Sequence, residues 1–123
     1  MADVVFWLYL TNATLLMVHE IESAYRQEWK LFRLPGGITF FLIFHLPLVP
    51  LIMLGLVQVH QETLAGQVLS LVLSLAGIFA FSIHTFLNLK GHPEFKTPIS
   101  LLILIATLGV SAAQVVTTML WLR

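Results

Sequence analysis

Apolar residues run almost unbroken through four stretches of this chain, and polar residues gather in the short intervals between them. A helix needs about 20 mostly apolar residues to cross a hydrocarbon core about 30 Å thick. The stretches at residues 4–26, 38–59, 64–88 and 98–122 meet that length, so each is predicted to be a transmembrane helix. The first is the least regular. Its mostly apolar, uncharged part stops at Val18, just before His19, Glu20 and Glu22. The helix must then either thin the bilayer or carry those groups into it. Pro47 and Pro50 fall inside the second stretch and predict a kink there, because each proline frees a carbonyl one turn back. Pro98 sits at the start of the fourth, where a proline suits a first helical turn. The intervals are short: residues 30–37 end in Pro35-Gly36-Gly37, residues 58–63 are polar, and residues 90–97 hold Gly91 and Pro93. Connections of this kind make consecutive helices antiparallel neighbours. The expected fold is all-α, an integral membrane four-helix bundle with up-down topology, one domain over residues 1–123.

Composition supports the membrane reading. Hydrophobic residues are 59% and charged residues 10% of the chain, whereas a soluble domain carries about 25% charged residues. The formal net charge is zero, which gives no reason to expect a nucleic-acid partner. The expected partner is the lipid bilayer, with a homo-oligomer left open. There is no cysteine, which excludes disulfides, thiolate metal sites and thioether-linked haem. No basic stretch precedes the first apolar run, so no cleaved leader is expected. Charge also sets an orientation. Arg26, Lys30, Arg33, Lys90 and Lys96 flank the first and third connections, and only Arg123 falls on the other side. The positive-inside rule then places those connections in the cytoplasm and both termini outside. The membrane expected is the plasma (inner) membrane of a bacterium.

With that topology, helical rise converts position into depth. His19 lies about seven residues from the cytoplasmic end of its helix, His45 about seven and His84 about four. Three helices thus offer an imidazole in the cytoplasmic half of the membrane, and Glu22 shares a face with His19 at a spacing of i,i+3. Polar and small residues repeat along the same faces. Asn12, His19, Glu22 and Arg26 form one stripe, Ser70, Gly77, His84 and Gly91 a second, and Ser100, Thr107, Ser111, Gln114 and Thr118 a third. Such stripes are predicted to face the bundle interior, where they allow close approach and hydrogen bonding. Ionisable groups inside a bilayer are costly and tend to mark function. The candidate metal ligands are His19, Glu22, His45 and His84, supported by Asn12, Asn88 and Arg26. Asn88 is one turn from His84 and is placed to set its tautomer. Glu20 is expected at the interface, and Glu28 in a solvated loop.

The segment His19-Glu20-Ile21-Glu22-Ser23-Ala24-Tyr25-Arg26-Gln27-Glu28-Trp29 resembles the HxxE signature of small multi-pass bacterial membrane proteins of unknown function, a group that includes those named for an HXXEE motif. Leu34-Pro35-Gly36-Gly37, His45-Leu46-Pro47, and His84 with Asn88-Leu89-Lys90-Gly91 look similar as well. Ser23 stands where the second glutamate of HXXEE would be, which suggests a related rather than a central member. The resemblance implies a membrane protein with His19 and Glu22 as residues of interest. It implies no activity.

Neutral imidazoles with a carboxylate suit a zinc or iron ion. The interior offers too few carboxylates for a di-iron centre, so the expectation is a mononuclear His/Glu site, acting on a lipid-soluble substrate if an open position is present. The alternatives are a proton-coupled small transporter working through Glu22, a bis-histidine haem between His45 and His84, and a non-catalytic accessory subunit.

Overall fold

Gln27 and Gly36 divide the first half of the chain, because both adopt left-handed backbone conformations, with φ of 57° and 93°. In this computed structural model, which describes residues 1–92 and 94–122, five helices result: α1 (Ala2–Tyr25), α2 (Glu28–Leu31), α3 (Gly37–His60), α4 (Leu64–Leu89) and α5 (Pro98–Trp121). Pro93 and Arg123, both used in the sequence reading, lie outside the described residues. The described residues contain no strand. The four long helices have the length and apolarity to cross a membrane. The short α2 is an element that the hydrophobic pattern does not predict.

Local chemistry sets the ends. Thr63 caps α4 by accepting a hydrogen bond from the Gly66 amide at 3.0 Å, and Thr97 caps α5 by accepting from the Ser100 amide at 3.3 Å, with Pro98 next in the chain. Both satisfy an N-terminal amide that has no partner within its own helix. Pro47 and Pro50 lie inside α3, which runs through them, although neither can donate to the carbonyl four residues earlier.

The interior combines an apolar cluster around Val5, Tyr9, Leu16 and Leu73 with many buried polar side chains, and much of the outside is apolar. Asn12, His19 and Ser23 of α1 are buried, as are Ser70, Ser74 and His84 of α4 and Ser100, Thr107, Ser111, Gln114 and Thr118 of α5. Ile21, Phe44, Leu46, Phe79 and Leu89 are exposed. Hydrocarbon is as apolar as leucine, so association must come from close packing and interhelical hydrogen bonds. The Asn12 amide donates to Gln114 Oε1 at 2.8 Å, and Ser111 donates to Asn12 Oδ1 at 3.1 Å. Gln114 in turn donates to the Ser70 carbonyl at 3.0 Å, and the Ser70 and Thr118 hydroxyls are 2.8 Å apart. Gly77 lies where these helices cross, and a Cβ there would come within 3.1 Å of both Asn12 Oδ1 and Thr107 Cγ2.

The third helix is different. Only Gly55 and Val59 of α3 are fully buried. It is tied to α1 where Tyr9 donates to the Ile52 carbonyl at 3.0 Å, and to α4 where Gly66 leaves room for the backbone of Gln58 and Val59. Between α1, α3 and α4, from the level of Tyr9 to that of His19 and His84, lies a cavity of about 710 Å³. Its wall is apolar along most of its length, and its histidines and carboxylates are His19, Glu20, Glu28, His45 and His84.

Candidate functional site

His19 and Ser23 continue the buried stripe of α1, and His84 closes that of α4. This brings the two imidazoles into edge-on contact. Their Nε2 atoms are 2.8 Å apart and the rings cross at 77°. Both are almost fully buried, at 2% and 1% exposure. The carboxylate beside them comes from Glu28, whose Oε1 is 3.3 Å from His84 Nε2. Helix α1 stops at Tyr25, and the left-handed turn at Gln27 redirects the chain so that the first residue of α2 reaches back to the end of α4. One ligand atom each from His19, Glu28 and His84 lies within 4.8 Å of the others. Phe95, buried in the connection between α4 and α5, lies against both rings, with centroids 4.2 Å from His84 and 5.5 Å from His19.

Two neutral imidazoles that meet through Nε2 have one proton to share between those atoms. Whichever nitrogen donates, the other must accept. Meanwhile the Glu28 carboxylate approaches His84 Nε2 and can only accept from it. The Nδ1 atoms of both rings are buried without a hydrogen-bond partner among the described residues. The two Nε2 atoms and the Glu28 carboxylate therefore meet at one shared point. Two imidazole nitrogens and a carboxylate oxygen this close together form a group that could hold a metal ion. Burial by itself would push the Glu28 carboxyl up, but the His84 ring beside it, and His19 behind that, outweigh it. The carboxyl is held below the usual carboxylate range.

The other sequence candidates have different partners. Glu22 Oε1 accepts a hydrogen bond from the Ser100 hydroxyl and pairs with Arg26 Nε at 3.6 Å. It faces α5 and not the histidine pair, because a spacing of three residues turns it partly away from His19 around the helix. His45 is half-buried on α3. Its Nδ1 donates to the Phe41 carbonyl at 2.7 Å, and its Nε2 is 2.8 Å from Glu20 Oε2. Both of its nitrogens are engaged, so neither is open to a metal or to a haem iron in this arrangement. Asn88 does not set the His84 tautomer; it donates to the Phe95 carbonyl at 3.5 Å. Asn12 belongs to the hydrogen-bonded crossing with Gln114 and Ser111, two turns from His19.

A further expectation is corrected: Glu28 is not a solvated loop residue, since its side chain is 15% exposed and lies against His84. Glu20 pairs with His45 at the cavity. Sequence reasoning missed Glu28 and Phe95. Neither lies on a periodic face, and no local signal marks Gln27, an ordinary helix former, as the point where the chain turns back.

The family described as "Family of unknown function (DUF6713)" matches residues 5–120 of the chain. No curated protein and no solved structure matches it.

Proposed function

We propose that this chain, which belongs to the DUF6713 family of unknown function, is an integral membrane protein that binds one divalent zinc or iron ion on His19, Glu28 and His84. The observation that carries the reading is the convergence of two buried Nε2 atoms and a carboxylate oxygen, which have no hydrogen-bonding side chain but one another among the described residues. Zinc and ferrous iron both accept two imidazoles and a carboxylate. An ion held this way would supply Lewis acidity or an activated water, and the three residues that would hold it also line the apolar cavity. The substrate class that this suits is lipid-soluble.

The helices are read as an up-down bundle. Asn12 meets Gln114 while Glu22 meets Ser100, so α1 and α5 run in opposite directions. Tyr9 meets Ile52 while Glu20 meets His45, so α1 and α3 do the same. The five-to-one distribution of lysine and arginine favours both termini outside and the site in the cytoplasmic half of a bacterial inner membrane. The His-x-x-Glu spacing then has a divided use: His19 serves the ion, and Glu22 fastens α1 to α5 at Ser100.

Metal analysis of protein purified in detergent tests this. About one zinc or iron per chain is expected in the wild type, with loss of that metal in His19→Ala and His84→Ala and retention in Glu22→Gln. A metal-free wild type, or histidine variants that keep their metal, would sink the reading. A second reading is proton-coupled transport, favoured by the clustering of Glu28 and His19 about one atom, His84 Nε2. It would be supported by proton-dependent flux through a protein that carries no metal.

A further inference from the structure

We infer that the first part of α3, from Gly37 to Leu46, is a lateral gate: an arm hinged at Pro47 and Pro50 and latched to α1 through His45 and Glu20, which swings away from the bundle and opens the cavity sideways to the hydrocarbon core. The gate governs access to the cavity and does not depend on an ion being bound.

The third helix is anchored beyond its prolines. There Tyr9 donates to the Ile52 carbonyl at 3.0 Å. A Cβ at Gly55 would come within 3.3 Å of Leu69 Cβ, and one at Gly66 within 2.5 Å of the Val59 amide nitrogen. So α3 and α4 pack closely at this level, and Gly55 and Val59 are buried. Before the prolines the packing is loose. No residue from Gly37 to Leu46 is fully buried, and Ile38, Phe40, Ile43 and Leu46 are exposed. The arm is tied to α2 by the Trp29 and Phe41 rings, with centroids 5.7 Å apart, and to α1 by His45 Nε2, 2.8 Å from Glu20 Oε2.

Soft points bound the arm at both ends. Proline has no amide proton, so Pro47 and Pro50 leave the Ile43 and Leu46 carbonyls without their helical donors. Two missing rungs within one turn make this the place where α3 bends, and sharp helix kinks concentrate at proline. At the other end Gly36 and Gly37 hold φ of 93° and 56°, which glycine adopts freely. The surroundings offer little resistance. Lipid hydrocarbon is as apolar as leucine, so an apolar arm that leaves an apolar wall exchanges one such contact for another. The polar tie to Glu20 is what opening breaks. Phe41, Leu42, Phe44 and His45 line the cavity, so a swing of the arm removes that part of its wall.

Double electron–electron resonance on the full chain in phosphatidylcholine nanodiscs tests this. The chain has no cysteine, so nitroxides on introduced cysteines report chosen distances. Ile38→Cys with Leu102→Cys joins the arm to α5. Leu54→Cys with Val116→Cys joins the anchored part of α3 to α5. All four positions are exposed. Among the described residues α5 packs on α1 and α4 and not on α3, so opening lengthens the first distance. Ile38 lies nine residues before Pro47, about 14 Å along the helix, and a kink of about 20° moves it by about 5 Å. The arm pair is expected to show a second population about 5 Å longer, and the anchored pair a single narrow one. This comparison decides without any substitution at the hinge. Pro47→Ala with Pro50→Ala should then abolish the longer population. His45→Phe, which keeps a ring and removes the bond to Glu20, should enlarge it at least twofold. A single narrow distribution at the arm pair, equal breadth at the two pairs, or a longer population that survives the alanine substitutions would overturn the gate. An unchanged population in His45→Phe would overturn the latch.

Discussion

Gln27 holds a backbone conformation that costs a residue with a side chain about 1–2 kcal/mol, and its φ of 57° is what brings Glu28 back to His84. Strain of this kind persists where the surrounding structure requires it. Gln27→Gly should keep the metal and leave stability equal or higher, since glycine adopts the same φ freely. Gln27→Val should weaken metal binding at least tenfold, about 1.4 kcal/mol, with helix content by circular dichroism unchanged. A valine variant with wild-type affinity would show that the turn does not position Glu28. Glu28→Gln keeps the shape of the side chain and removes its charge. It should weaken the ion by a similar factor, while Glu22→Gln should not. Equal effects of the two substitutions would return the carboxylate role to Glu22.

The helices were legible to the extent that their chemistry repeats. Ser70, Gly77 and His84 recur every seven residues, close to two turns of an α-helix, and all three are buried against neighbouring helices. The spacing also anticipated the buried stripe of α5. Depth along a helix could be read from rise alone, so His19 and His84 were placed at the same level. Direction around the helix could not always be read in this way. His45 shares their depth, but α3 is apolar on nearly every side, and no periodicity marks the face its histidine takes. The short α2 lies beyond reach for a different reason, because its place depends on one backbone angle. Two substitutions probe the elements. Gly77→Leu must displace Asn12 and Thr107 and should cost about 1–3 kcal/mol, seen as earlier thermal unfolding in detergent. Asn12→Ala should cost about 1–2 kcal/mol, the scale of interhelical hydrogen bonds in membranes, and should leave metal content intact. Loss of metal in Asn12→Ala would tie that residue to the site after all.

At the scale of the molecule, the account joins an orientation to a centre. The chain has no cysteine, so single introduced cysteines report unambiguously. Gln61→Cys, in the connection from α3 to α4, should react with an impermeant thiol reagent on intact cells, and Leu34→Cys, between α2 and α3, should not. The opposite pattern would invert the bundle and move the histidine pair to the outer half of the membrane. The hydrophobic pattern and the charge asymmetry suffice to argue this much, because hydrocarbon thickness and loop charge act on the whole chain. The identity of the third ligand rests on a tertiary contact, which they do not encode. The central claim is that His19 and His84 share one ion, and X-ray absorption at the metal edge of the purified protein tests it most directly. The account predicts two imidazoles per metal, with nitrogen or oxygen ligands at about 2.0–2.2 Å, and loss of the imidazole scattering in His84→Ala. A spectrum showing only oxygen neighbours, or one unchanged in His84→Ala, would contradict it.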